Sequence, residues 1–329
     1  MNRGKVPEKV LERSVLRTLR EVNKDVITGA AFGEDCAILC YEKGEDAGCY
    51  EAHAVGVGYG KEEAASAFIK AVNNLSAGGF IFVTAAVSVI LPEFSEEEEL
   101  KEIMKVISDT AKKLSGFVTA GQTEVSPFVT KTVISVTAIG KLMGERILRK
   151  KDITIGEAIV AAGFAGNEGA SILVRCKNDV LKERFPIGFL SRFKGWEDRI
   201  SVVSKARIAY DFGVTAMKDV SERGVFSALW ELGSASGRGL QVNLKDIPIK
   251  QETIEICNFF NINPYGMKSS GMLLMVTKDP DGLTKALSDA GFNASKIGMI
   301  TADNDRVIVN DDEIRHLDKI LQDEIYKII

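Results

Sequence analysis

Histidine is nearly absent from this chain: His53 and His316 are the only two in 329 residues. A histidine-rich metal centre, or a Ser-His-Asp triad at conventional spacing, is thereby nearly excluded. The five cysteines, at positions 36, 40, 49, 176 and 257, form no CxxC pair, and no secretory signal opens the sequence. They read as reduced cytoplasmic thiols, each buried and structural. No apolar stretch reaches the ~20 residues of a membrane span. The run "FIFVTAAVSVIL" at 80–91 is too short and reads as a buried strand. A basic stripe is missing as well. The net charge is −4 with both signs well mixed, which argues against nucleic acid as the main partner. The one acidic run, Glu96 to Glu99, stands where a helix should begin and suits the positive end of its dipole.

The standard nucleotide loops are missing too. "GVGYGKEE" at 56–63 invites comparison with a P-loop, but Glu62 stands where Ser or Thr should follow the lysine. The GxGxxG fingerprint fails because the glycines fall at 56, 58 and 60. The stretch reads as a loop before a helix, and any nucleotide must be held another way.

What is present suits a soluble globular protein: 45% hydrophobic and 27% charged residues, in a chain long enough for two domains. Val10, Leu11, Val15, Leu16, Leu19 and Val22 recur at helical spacing and predict an amphipathic helix over 7–22. Strands follow near 36–41 and 49–57, a helix over 61–77 stopped by Gly78-Gly79, and strand 80–91. Ser95 with Glu98 reads as a capping box opening a helix that ends at Gly116. Alternation over 129–142 predicts a long half-buried strand. The basic "RKK" at 149–151 marks a domain junction. Beyond it come strand 157–163, helices 167–176, 196–212 and 221–236, strand 239–244, helix 250–261 and strand 271–277. A helix opened by Asp279-Pro280, one or two strands within 297–309 and a helical tail 311–328 complete the pattern. The expected class is α+β, with two α/β-type domains over 1–150 and 151–329.

Three polar stretches interrupt this pattern. "FGEDCAIL" at 32–39 sets Glu34 and Asp35 before a strand, where acids are normally depleted. "TAGQTEV" at 119–125 offers Gln122, Thr123 and Glu124 at a strand end, beside a glycine that lets backbone approach a ligand. "MKDVSERGV" at 217–225 puts Lys218 and Asp219 at a strand end and Ser221 at a helix start, where an anion and a cation can dock together. Each stretch also has a bland reading, as an ordinary turn or a solvated cap.

Taken in order, "GEDCAIL", "AVNNLSAGG", "AGQTEV", "KDVSERGVFSALWEL" and "NPYGMKSSGMLLM" resemble the aminoimidazole ribonucleotide synthetase-related (PurM/HypE-like) superfamily, nearest its hydrogenase-maturation branch. The resemblance covers nearly the whole chain. It implies an N-terminal PurM-like domain whose sheet forms a homodimer, and a C-terminal PurM-like domain. It further implies Mg²⁺ and ATP as cofactors, a small-molecule substrate and a maturation-protein partner. Phosphoryl transfer needs charge neutralisation above all, and Mg²⁺ prefers carboxylate and phosphate oxygens. Carried over residue by residue, Glu34, Asp35 and Asp219 would hold metal. Asn74, Gln122, Thr123, Glu124 and Ser221 would join Glu34 and Asp35 around the nucleotide, and Asp219 and Lys218 would serve catalysis.

The sequence departs from the family pattern at several of these positions. Glu34-Asp35 stands for Asp-Asp, and Glu51-Ala52-His53 for an acid-bearing strand end. Asn73-Asn74 stands for Asn-Asp, Gln122 for a ligand, Lys218 for His and Arg223 for Gly. The maturation branch ends in a cysteine-bearing tail, whereas "DEIYKII" carries none, so its cysteine chemistry is not expected here. Two readings stay open: an ATP-dependent enzyme, and a nucleotide-binding or regulatory protein of the same fold with a weakened metal site.

Overall fold

The computed structural model describes residues 3–19, 23–43 and 46–329. The chain divides into two compact units: one of residues 21–30 and 35–147, the other of residues 1–20, 31–34 and 148–329. Residues 3–19 therefore belong with the C-terminal unit. Their expected long helix is short, α1 (Glu8–Leu11) followed by a π-type turn at Glu12–Leu16, and positions 20–22 lie outside the described residues.

The N-terminal unit is a six-stranded sheet in the order β1-β2-β3-β6-β4-β5. The strands are β1 (Val26–Thr28), β2 (Ala37–Lys43), β3 (Asp46–Tyr59), β4 (Phe80–Pro92), β5 (Phe117–Ser126) and β6 (Val133–Leu142). Two helices, α2 (Ala64–Ala77) and α3 (Glu97–Lys113), complete it. "GVGYG" is not a loop, because Gly56 and Gly58 lie inside β3. A side chain at Gly58 would meet the Glu63 carbonyl of the turn leading into α2 at 2.8 Å, and one at Gly56 would strike the backbone of α2. The glycines thus let strand and helix touch. Phe68 and Phe82 meet edge to face at 5.5 Å inside this layer, with Leu75, Phe80, Ile103, Ile107 and Ile134 fully buried. The expected capping box is not formed. The Ser95 hydroxyl donates to the Pro92 carbonyl, and Glu96 occupies the cap position of α3.

The C-terminal unit is a seven-stranded sheet in the order β13-β12-β9-β11-β7-β10-β8. Its strands are β7 (Ala158–Ala162), β8 (Ala216–Val220), β9 (Gly239–Asn243), β10 (Met272–Thr277), β11 (Ala294–Thr301), β12 (Arg306–Asn310) and β13 (Glu313–His316). Its helices are α4 (Asn167–Cys176), α5 (Asn178–Lys182), α6 (Ile187–Leu190), α7 (Val203–Phe212), α8 (Gly224–Ser236), α9 (Gln251–Phe260) and α10 (Pro280–Asp289). Strands β7, β8 and β10 are buried along their whole length, and Phe226, Leu229, Leu232 and Leu274 sit at the centre of the core. Asp279 caps α10 by accepting from the Gly282 amide, as its Asp-Pro start predicts.

Three expectations change here. The tail is not a helix: β13 pairs back on β12, and a 3-10 turn at Glu324–Lys327 follows. The helix expected from Trp196 begins only at Val203. The cysteines are not uniformly buried, since Cys49 and Cys176 are exposed and Cys40 is half-buried. Buried Cys257 has its thiol pushed up to about 12 by burial and by the charge of Glu324, so it is inert near neutrality. Among the described residues no helix is long and apolar enough to cross a membrane.

Candidate functional site

The C-terminal unit holds most of the charged candidates, on and behind the end of β8. Lys218 and Asp219 pair with Leu274 and Leu273 of β10 and are both buried. Charges buried this deeply need partners. The ammonium of Lys218 lies 3.0 Å from a carboxylate oxygen of Glu231 on α8. Arg223 approaches the other Glu231 oxygen at 3.6 Å, and the Ser227 hydroxyl donates to it at 3.4 Å. Burial raises the Glu231 pKa, but the charges of Lys218, Lys5 and Arg223 outweigh it and hold the carboxylate at about 2. Asp219 interacts electrostatically with Lys205 of α7.

The turn between β8 and α8 is tightly specified. Arg223 and Gly224 are both left-handed, at φ 66° and 65°. The Arg223 amide donates to Asp323 at 2.6 Å, and the Ile325 amide donates to the same carboxyl at 3.1 Å. Burial nevertheless pushes the Asp323 pKa up to about 6. Ser221 does not cap α8, which begins three residues later. Its carbonyl instead accepts from the amides of Gly224 and Ser269.

The opening acids separate. Glu34 belongs to the C-terminal unit, and its carboxylate accepts from Lys150 at 3.0 Å, where Lys150 is only 4% exposed. The basic stretch at 149–151 lies just past the unit boundary at residues 147/148, and within it Lys150 is the positive partner of Glu34. Gly33 is required just before it. Its φ is 86°, and a side chain there would meet the Glu231 carbonyl at 2.5 Å.

Asp35 belongs to the N-terminal unit, half-buried at the entry to β2. In the same unit Asn73 is fully buried on α2, and Asn74 next to it is half-exposed. Gln122, Thr123 and Glu124 do not sit at a strand end. They lie inside β5, the edge strand parallel to β4, and all are exposed. Glu51 and His53 also lie within a strand, β3, where the imidazole and carboxylate contact each other directly.

Among the described residues no group of three or more His, Cys, Asp or Glu is arranged to hold a metal ion. A Mg²⁺ ion carried on a nucleotide needs only one or two protein carboxylates. Asp35 and Asp219 are each carboxylates of that chemistry, whereas a metal at Glu34 would have to displace Lys150. Glu231, Lys150 and Asp323 escape sequence reasoning. Glu231 and Lys150 are placed by ion pairs with residues distant in sequence, and Asp323 by the backbone amides of Arg223 and Ile325, links that are invisible without a fold.

Sequence models of two domains match this chain. The AIR synthase related protein N-terminal domain covers residues 33–142, and the corresponding C-terminal domain covers 154–310. A candidate hydrogenase expression/formation protein of Methanocaldococcus jannaschii is 26% identical over 312 residues, spanning 93% of this chain and 91% of that protein. Carbamoyl dehydratase HypE of Rhodobacter capsulatus is 23% identical over 222 residues, 64% of this chain and 60% of the relative. Among solved structures, a HypE–HypF complex aligns with a TM-score of 0.77 at 20% identity, covering 94% of this chain and 99% of the other. HypE in complex with ATP aligns with a TM-score of 0.67 at 16% identity, covering 98% and 97%.

Proposed function

The chain belongs to the AIR synthase-related family, and on that premise we propose that it is an ATP-dependent, HypE-like hydrogenase maturation factor that activates a small substrate by phosphorylation. One observation carries this reading: the similarity to a hydrogenase expression/formation relative runs almost end to end through both domains. The fold shared with an ATP-bound HypE supports the nucleotide. In this proposal Asp35 and Asp219 hold Mg²⁺, which supplies charge neutralisation to the phosphates when bound. Asn74, Gln122, Thr123, Glu124 and Ser221 contact the nucleotide, and Glu34 acts through its pairing with Lys150. Lys218 serves as a positioning residue, because its ammonium is engaged by Glu231 and fixes the end of β8 that carries Asp219. A maturation protein is the proposed partner, by analogy with the HypE–HypF complex.

A homodimer is part of the same proposal. The face of β3 opposite α2 presents Val55, Val57 and Tyr59, which are 45–59% exposed. These pair with Thr137, Ser135 and Val133 of β6, which in turn pair with Ala86, Ser88 and Ile90 of β4. This stripe of exposed apolar side chains flanked by small residues, with β5 an open edge of the same sheet, suits a second copy of the chain.

The test is calorimetry of ATP binding with and without Mg²⁺, followed by measurement of ADP release. Asp35→Asn and Asp219→Asn should each weaken Mg²⁺-ATP far more than metal-free ATP. Equal losses in both conditions would assign these acids to structure. Tight ATP binding without any ADP release, whatever maturation partner is supplied, would favour the binding-protein reading instead.

A further inference from the structure

The stretch between α4 and α7 folds back on the C-terminal unit and encloses a cavity of about 500 Å³. It shares no lining residue with the Lys218–Glu231 network. A space of this size holds a small organic molecule. Its walls are apolar: Val174 of α4, Leu190 of α6, and Phe193 and Trp196 beyond it, all buried. Two of these four are flat aromatic side chains, which favour a planar partner.

These walls are held by contacts outside the cavity. The Phe193 ring meets that of Phe189 at 6.0 Å, Phe189 stacks on Phe185 at 4.7 Å, and Phe185 meets Phe259 of α9 at 5.9 Å. Arg192 pins the same stretch to α9 through Glu252 at 2.7 Å. Farther along, the Arg199 guanidinium donates to the carbonyls of Lys194 at 2.6 Å and Gly195 at 3.3 Å. Gly195, at φ 65°, makes the turn that brings both Lys194 and Trp196 to the cavity. Walls fixed in this way are in place before a ligand arrives, so binding requires little reordering.

The charged lining is cationic by a small margin. Arg175, Lys182 and Lys194 stand against Glu197, and Lys182 lies 3.5 Å from Asp179, an exposed acid outside the lining. Counting both acids leaves one positive charge in excess (3 − 2). Arg175 and Lys194 are exposed and make no ion pair among the described residues. Arg175 also sits in the last turn of α4, whose partial negative charge offsets part of its own. The margin therefore suits one negative charge better than two.

We propose that this cavity is a binding site for an aromatic monocarboxylate: the ring packs against Phe193 and Trp196, and the carboxylate meets Arg175 and Lys194. A guanidinium can give a carboxylate two parallel N–H bonds, which a neutral hydroxyl in its place cannot accept. The apolar walls select a ligand with a ring over a short-chain acid. The site uses none of the residues assigned to the nucleotide and stands whether or not the ATP-dependent reading holds.

The experiment titrates the full chain with phenylbutanoate, followed by calorimetry and by tryptophan fluorescence. Phenylbutanol supplies the same body without the charge, and butanoate the charge without the ring. Phenylbutanoate should bind saturably and more tightly than either, by about tenfold over butanoate. Arg175→Gln and Lys194→Gln should each weaken it about threefold, as expected for one exposed charge, and leave the melting temperature unchanged. Trp196 and Trp230 are the two tryptophans of the chain. Binding should change the emission of wild type but not of Trp196→Phe, which keeps an aromatic wall and still binds by calorimetry. The proposal is overturned if phenylbutanoate shows no saturable binding at millimolar concentration, or if phenylbutanol binds as tightly. It is also overturned if both charge variants bind like wild type. An emission change that persists in Trp196→Phe would place the ligand beside Trp230 and overturn it too.

Discussion

In the C-terminal unit the candidate charges are buried or, for Glu34, half-buried, and matched: Glu231 with Lys218, Glu34 with Lys150, Asp219 with Lys205. In the N-terminal unit the stretch Gln122–Thr123–Glu124 stands exposed on an edge strand, beside a sheet face of Val55, Val57 and Tyr59. The same kind of sequence signal, polar residues next to an apolar run, thus has two physical outcomes. Sealed charges hold a turn and a helix in place. Exposed polar groups contribute little to folding and are open to whatever binds.

The sharpest way to break this comparison is to remove one buried charge. Glu231→Ala leaves Lys218 and Arg223 facing each other in the core and should cost about 3–5 kcal/mol in urea unfolding. Gln122→Ala should change stability by less than about 0.5 kcal/mol. Similar effects from the two substitutions would erase the distinction between the units.

Acid titration sharpens the comparison next. The Glu231 pKa is depressed in the fold, so its contribution is fully present above the ordinary glutamate value of 4.5 and is lost as pH falls through about 2. That contribution is on the order of 3 kcal/mol. Asp323 has the opposite sign. Its pKa is raised from 3.8 to about 6, so the stability it contributes is present below 3.8 and is lost as pH rises through 6. Unfolding free energies measured from pH 3 to pH 7 should show the Asp323 slope between about 4 and 6. That slope should vanish in Asp323→Asn and persist in Gln122→Ala.

The exposed face offers a third test. Val57→Lys should convert a dimer to monomers in sedimentation while shifting the unfolding midpoint of the monomer only slightly, because Val57 is 45% exposed. A wild-type chain that is monomeric at micromolar concentration would remove the dimer from the proposal. The smallest effect is expected from Asn74→Asp, which adds one charge at a half-exposed position of α2. If Asn74 stands where a metal ligand is missing, nucleotide affinity should rise with added Mg²⁺. Weaker binding at every Mg²⁺ concentration would mean that Asn74 donates a hydrogen bond to phosphate.

Local signals were read from the sequence wherever local energies decide. Helix α4 runs over Asn167–Cys176 as its periodicity predicts, Asp279 caps α10, and most strands fall where apolar alternation puts them. The order of the motifs also carried the family. The errors share a cause. Strand β5 looks like a polar loop because an edge strand without burial keeps no apolar alternation. Gly121, which reads as a turn residue, is there because a side chain would strike the β4 backbone. The tail has helix-spaced apolar residues, but Asp311 adopts φ 53° and turns β12 back into β13, so Ile314 faces solvent while Leu317 enters the core.

By itself, then, the amino-acid order determined the two-domain α+β class, the family, and which polar residues are unusual for their surroundings. Tertiary structure alone decided what those residues meet. Glu34 and Lys150 are 116 positions apart, and Arg223 and Asp323 are 100 apart. No propensity or periodicity links residues at such distances. Only the closure of the fold brings them within hydrogen-bonding range, where burial makes pairing obligatory and so fixes the partner.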